Sequence, residues 1–142
     1  MRIADVIRRK GDTVATIRPD HTVTELLARL AEYKVGALVV STDGQQVDGI
    51  VSERDVVRRL HQDGPSVLSV PVRDIMTPKV RTCAPEASVE DLMRVMTEHR
   101  FRHVPVLVDG RLAGIVSIGD VVKHRIDELQ SERDQLTAYI TS

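Results

Sequence analysis

The chain has one cysteine, no tryptophan, one phenylalanine and two tyrosines in 142 residues. The single thiol, Cys83, cannot close an intramolecular disulfide or supply a multi-cysteine zinc site within one chain. That fits a reducing compartment, and the expectation is a cytoplasmic protein. Aromatics at 2% leave no series of stacking platforms for single-stranded nucleic acid. A formal charge of −1 gives no general attraction to nucleic acid or anionic membrane. The opening residues, MRIADVIRRKGD, lack the apolar run of a signal peptide, and no stretch approaches the length of a membrane span. Neither a nucleic acid nor a membrane is therefore expected as a partner. What the chain does have is aliphatic: hydrophobic residues make up 42%, so the core must be built from Val, Ile, Leu, Ala and Met.

It also has a repeat, the first thing to test in any sequence. Shifted by 66 positions, VATIRPDHTVTELL (14–27) lies on VRTCAPEASVEDLM (80–93), matching Val14 with Val80, Pro19 with Pro85 and Leu26 with Leu92. After the loss of one loop residue, GIVSERDVV (49–57) lies on GIVSIGDVV (114–122). General Val/Ile similarity would not place Ser, Asp, Gly and Pro in register.

Each copy reads β-α-β-β-α. A short extended piece (14–17; 80–83) ends before Pro19 or Pro85. Thr22 and Ser88 are predicted N-caps, with Glu25 and Asp91 three residues on. Apolar residues then recur at helical spacing. Strands are predicted over 35–40 and 101–108, turns at Thr42-Asp43-Gly44 and Asp109-Gly110, and return strands over 47–52 and 112–117. The expected fold class is therefore α/β (α+β), two repeats packed about a pseudo-twofold axis and burying a shared core. The expected divisions are a first motif over 1–62, a linker and lead-in over 63–78, a second motif over 79–125 and a C-terminal amphipathic helix over 126–142. Residues 62–78 have the internal prolines and glycine of a linker.

In GIVSERD and GIVSIGD a strand ends at serine and a helix begins. Ser52 with Asp55, and Ser117 with Asp120, are candidate capping pairs. The same geometry suits a nucleoside phosphate. A helix N-terminus favours an anion, a carboxylate one turn in accepts ribose hydroxyls, and Gly49 and Gly114 permit close backbone approach.

The chain resembles a tandem pair of CBS domains, the Bateman module, over about residues 5–125. The resemblance is carried by DIMTP (74–78), the two GIVSxxD strings and HRFRHVPVLVDGRLAGIVSIGDVV (99–122). It implies two ligand clefts between the copies. In one, Ser52 and Asp55 would hold ribose and phosphate, completed by Thr82 and the backbone near Phe101, Arg102, His103 and Pro105. In the other, Ser117 and Asp120 would act with Thr16 and the backbone at Val35, Gly36 and Ala37, with Arg18 the nearest basic residue. Ile50 and Ile115 would flank the adenine. The implied ligand is an adenine nucleotide, AMP foremost, with ADP, ATP, NAD(H) and S-adenosylmethionine as alternatives. The first copy has VGAL where the second has FRHV, so one cleft lacks a basic pair.

Other candidates weigh less. His99 and His103 are spaced for a metal on a helix, but His103 falls in a strand and no third ligand is near, so no metal site is expected. His21, His61 and His124 read as solvated, and Cys83 as a packed residue. Arg54 is open between a phosphate and solvent, and Arg58 and Lys123 read as a solvated helix face. No nucleophile–base pair emerges, so no enzyme is expected. The apolar residues at 126, 129, 136 and 140 suit a helix in a homodimer. Two functions follow: an adenine-nucleotide sensor read by an unidentified protein partner, or an interaction homodimer with vestigial sites.

Overall fold

The computed structural model describes residues 1–11 and 14–141. In chain order the elements are α1 (Ile3–Lys10), β1 (Thr16–Ile17), α2 (Val23–Tyr33), β2 (Ala37–Val40), β3 (Gly49–Ser52), α3 (Glu53–Asp63), α4 (Val89–His99), β4 (His103–Val108), β5 (Arg111–Ser117) and α5 (Ile118–Thr141). Two short 3-10 turns, Gly64–Ser69 and Val72–Asp74, fill the segment between α3 and α4.

The repeat is visible in the architecture. In the first copy β1 runs parallel to β2 and β2 antiparallel to β3. In the second, β4 and β5 pair antiparallel, and the counterpart of β1 shrinks to one bridge, Cys83 with Val106. That bridge occupies the register of Ile17 with Val40, each pair offset by 66. Both first helices start on the predicted caps: Thr22 Oγ1 accepts the Glu25 N–H at 3.2 Å and Ser88 Oγ the Asp91 N–H at 3.3 Å. Both end in a left-handed residue, Lys34 (φ 56°) and Arg100 (φ 59°). The β4–β5 turn has positive φ at both Asp109 (53°) and Gly110 (77°), which matches the strand twist and suits a tight hairpin.

Packing departs from the shared core expected. There are two aliphatic clusters, one per copy. Ile17, Val23, Leu26, Leu38, Val40 and Val51 form the first, together with Val67, Val72 and Ile75 from the joining segment. That segment is thus built into the first core, where a solvated linker was expected. Pro71 bridges Thr22, and the Val23 N–H donates to Val70 O. The second cluster holds Val89, Met96, Val104, Val106, Val116 and Val121, and it borrows Ile3 and Val6 from the other end of the chain. Arg2 bridges Ser88, and the Ile3 N–H donates to Ala87 O.

The two lead-ins are therefore exchanged: the segment before each copy packs on the other copy. Their sequences show why they are equivalent. IADVIRRK (3–10) lies on VRDIMTPK (72–79), pairing Asp5 with Asp74, Ile7 with Met76 and Lys10 with Lys79. They differ where Arg9 meets Pro78. Proline cannot continue a helix, so the second lead-in stops early and Thr77 pairs with Ile50 of β3, while α1 runs on to Lys10.

Candidate functional site

Each return strand turns straight into a helix, and the doubled serine and aspartate sit at that turn. Asp55 Oδ2 accepts the Ser52 N–H at 2.8 Å and the Ser52 hydroxyl at 3.1 Å, while Ser52 Oγ accepts the Asp55 N–H at 3.4 Å. Asp120 Oδ2 accepts the Ser117 N–H at 3.0 Å, and Ser117 Oγ the Asp120 N–H at 3.1 Å. Both pairs are capping boxes, and each pins a carboxylate at the positive end of a helix. Both boxes use Oδ2 of the aspartate.

The surroundings of the two boxes differ. Ser52 and Asp55 line a cavity of about 400 Å³, within the range of small-molecule sites. Gly36, Ala37 and Ile50 form its wall in the first copy. Thr77 closes it by two backbone hydrogen bonds with Ile50, at 3.0 and 2.9 Å. A side chain at Gly49 would meet Thr77 O at 2.7 Å, so only glycine lets this strand and the joining segment approach. His99, Phe101, Arg102 and His103 come from the second copy. The rings of His99 and Phe101 stack with centroids 5.9 Å apart.

Charge is the strongest feature of this cavity. Arg54, Arg58, Lys79, Arg81, Arg100 and Arg102 line it, against the carboxylates of Glu53 and Asp55. Among the described residues none of these six cations is in an ion pair. Elsewhere among the described residues, Arg8, Arg9, Lys10, Arg18, Arg59, Arg94, Arg125 and Arg133 are paired, while Arg2, Arg29, Lys34, Arg73, Arg111 and Lys123 are in no ion pair but are not gathered round a cavity with these six. Unpaired cations gathered round a concave, partly desolvated space focus a positive field there, although the whole chain carries −1. Burial lowers the imidazole pKa of His103 below its ordinary value, with the positive charges of Lys10 and Arg102 acting the same way against Asp120 and Glu53.

Ser117 and Asp120 face something else. Lys10, at the end of α1, donates from Nζ to Asp120 Oδ2 at 2.7 Å and to the Ile115 carbonyl at 2.9 Å. Ile7 packs over Gly114, its Cδ1 2.6 Å from where a Cβ would stand. Burial alone would raise the Asp120 pKa, but the Lys10 ammonium and the Ser117 N–H bring it below the ordinary carboxylate value. A smaller cavity of about 210 Å³ adjoins, lined by Val6, Arg9, Lys10, Asp120, Lys123, His124 and Asp127. His124 is not solvated as expected. It is 3% exposed, on α5 beside Val6 and Lys10 of α1, with no hydrogen bond to either ring nitrogen.

Of the residues that the resemblance implies for a cleft with Ser52, the structure brings Ser52, Asp55, Ile50, Phe101, Arg102 and His103 to one cavity. Gly36 and Ala37 lie in that same cavity, because Ala37 is the strand partner of Ser52 and Gly36 O accepts the Glu53 N–H. Thr82 is exposed and Pro105 is buried against Ile115; neither lines the cavity. Thr16 pairs with Val39, Arg18 is bound to Asp20 and the Thr42 carbonyl, and Val35 is exposed. None of these three lines a cavity with Ser117 and Asp120. Arg58, read as a solvated face, lines the first cavity. Thr77, Lys79, Arg81, His99 and Arg100 also line it and were missed. The match of IADVIRRK with VRDIMTPK would have found Lys79. No group of three or more His, Cys, Asp or Glu is placed to hold a metal among the described residues.

The doubled architecture has counterparts among known proteins. The sequence profile of the CBS domain matches residues 3–62 and again 72–127. The chain belongs to the CBS domain family. A pair of CBS domains is a regulatory module. CBS domain-containing protein CBSX3, mitochondrial, from Arabidopsis thaliana is 40% identical over 146 residues, covering 97% of this chain and 71% of that protein. The crystal structure of the CBS-domain containing protein ATU1752 from Agrobacterium tumefaciens superposes with a TM-score of 0.84 at 44% identity, covering 88% of this chain and 99% of that one. The CBS domain pair of MJ0100, solved with 5′-methylthioadenosine and S-adenosylmethionine, shares the fold at TM-score 0.78 and 21% identity, covering 90% and 98%. No helix of the described residues is long and apolar enough to cross a membrane.

Proposed function

We propose that this CBS pair is a non-catalytic regulatory module that binds an adenine nucleotide in the Ser52/Asp55 cleft and passes its occupancy to a partner protein. One observation carries the reading: six unpaired cations surround a capped helix N-terminus whose carboxylate is positioned for a ribose. The Asp55 carboxylate accepts the ribose hydroxyls, and the α3 N-terminus with Arg54 and Arg102 takes the first phosphate. Phe101, one of three aromatics in the chain, offers its ring to the base, a contact worth about 1–3 kcal/mol. AMP is the smallest ligand that uses all three. The remaining cations favour added phosphates, as in ADP, ATP or NAD(H), and disfavour the cationic sulfonium of S-adenosylmethionine, which MJ0100 binds.

No chemistry is assigned. The Ser52 hydroxyl is engaged in the cap, and burial pushes the Cys83 thiol up to about 11, leaving it protonated. We place the protein in a reducing compartment, the cytoplasm by its single cysteine. The exposed apolar residues of α5 support a homodimer, and a dimer with idle clefts is the alternative.

Thermal unfolding with AMP, ADP, ATP, NAD, NADH and S-adenosylmethionine tests the reading. A ligand at about a hundred times its dissociation constant stabilises by roughly 2.7 kcal/mol, a shift of several degrees at this size. The shift is expected with the phosphate-bearing ligands and lost in Asp55→Asn. No shift with any of them would leave the interaction dimer standing.

A further inference from the structure

We propose that Lys10 is a built-in occupant of the second cleft, so that the chain takes one nucleotide at Ser52/Asp55 and admits a second only when the last turn of α1 lets go. The inference rests on the nucleotide reading of the first cleft. Its basis is the contrast between two helix starts of matching sequence. Ser117 and Asp120 form the same box as Ser52 and Asp55, yet the Asp120 oxygen is already taken by the Lys10 ammonium at 2.7 Å. The same ammonium caps the Ile115 carbonyl at 2.9 Å, on the residue that matches Ile50. Ile7 packs on Gly114 as its counterpart Met76 packs on Gly49, so the two lead-ins cover their strands alike and the difference between the clefts is the Lys10 contact.

The lead-in sequences explain why one cleft is open and the other closed. Lys79 is the counterpart of Lys10 in the aligned lead-ins, but it stands one residue before Val80 where Lys10 stands four before Val14. The 3-10 turn ends at Asp74, Pro78 keeps it from resuming as a helix, and Lys79 lines an open cavity. Arg9 stands in place of that proline, so α1 continues and delivers Lys10 onto Asp120. Arg9 adds a second tie at 3.1 Å to Asp127 of α5.

Beside the latch, His124 is 3% exposed and lines, with Val6, Lys10 and Asp120, a cavity of about 210 Å³ between α1 and α5, with both ring nitrogens unbonded. A buried polar group without a partner is uncommon and costly, so the latch satisfies Asp120 but leaves His124 unanswered. Positions matching Arg54 and Arg102 hold Gly119 and Gly36, so the cleft lacks the phosphate cluster of the first. A nucleoside monophosphate is therefore the ligand it would admit.

Isothermal titration with AMP reads the stoichiometry. The wild type is expected to bind one equivalent, and Lys10→Ala and Arg9→Pro two. Asp55→Asn is expected to bind none, and Lys10→Ala with Asp55→Asn one. A wild type that binds two equivalents, or a Lys10→Ala chain that gains none, overturns the inference. If the wild type binds none, the reading of the first cleft fails; the latch is still decided by whether Lys10→Ala gains an equivalent. Carbon NMR of the Asp120 carboxyl gives a ligand-free check in the intact chain. Its titration midpoint is expected to rise in Lys10→Met, and an unchanged midpoint overturns the latch.

Discussion

His103 stands at the start of β4, paired with Ser117 across the hairpin and lining the cavity of Ser52. Its folded pKa lies below the unfolded value of about 6.5 because burial and nearby cations disfavour the imidazolium. Protonation then favours the unfolded chain, so this residue lowers stability as pH falls through about 6.5. A nucleotide phosphate beside it reverses the local charge and raises the pKa. Binding is expected to take up a proton, and affinity to rise as pH falls through that interval. Titration of ADP in buffers of different ionisation enthalpy measures the uptake, which His103→Gln should remove. Equal uptake in both chains would mean that another group takes the proton and that His103 lies away from the ligand, since a phosphate bound among cations releases protons. At this scale the sequence was informative but incomplete. Ser52 with Asp55 and Ser117 with Asp120 read alike, and they are alike as caps. What separates them is Lys10, more than a hundred positions from Asp120. No local pattern reports a contact of that separation.

Helix α5 shows the same limit among elements. The amphipathic pattern of the tail was legible, but the chain does not divide near residue 126: Ile118–Thr141 is one helix of 24 residues. Gly119 lies in its first turn, where Ser117 and Asp120 supply the cap, so the glycine breaks nothing. Along α5 the exposed apolar residues are Val122, Ile126, Leu129, Leu136, Tyr139 and Ile140; all but Tyr139 fall on one seam, with Arg133 in the slot between Leu129 and Leu136. Steps of four and three mark a heptad seam. Leu129→Glu and Leu136→Glu are each expected to convert a dimer to a monomer in sedimentation equilibrium. Nucleotide binding at Ser52 should persist, because neither leucine lines that cavity. A wild-type chain that sediments as a monomer would sink the seam. The lead-ins were the least legible elements. The opening residues were read only for the signal peptide they lack and DIMTP as part of a linker; their mutual alignment marks them as equivalent, and the packing shows that each serves the opposite copy.

That exchange makes the two halves unequal in the whole molecule. The first core draws only on residues 15–76, one continuous stretch. The second needs Ile3 and Val6 from one side of that stretch and residues 83–121 from the other. Bringing these pieces together closes a loop whose entropy cost grows with the length of disordered chain between them. When the first half is folded, its two ends are already held close, and the second half forms at lower cost. Folding is therefore coupled in one direction. Leu26→Ala, a fully buried change in the first core, is expected to cost about 2–5 kcal/mol. It should reduce hydrogen-exchange protection in both halves. Met96→Ala, equally buried in the second core, should cost a similar amount but lower protection only in α1, α4, β4, β5 and α5. Native-state exchange followed by mass spectrometry separates the cases. Equal loss in both halves from either substitution would show a single cooperative unit. Strictly local loss from both would show two independent ones. The one-way pattern also bears on regulation. The open cleft draws its serine, aspartate and Thr77 from the continuous half and His99–His103 from the dependent half. A nucleotide that bridges them therefore adds stability chiefly to the half that needs it, α1 and its latch included.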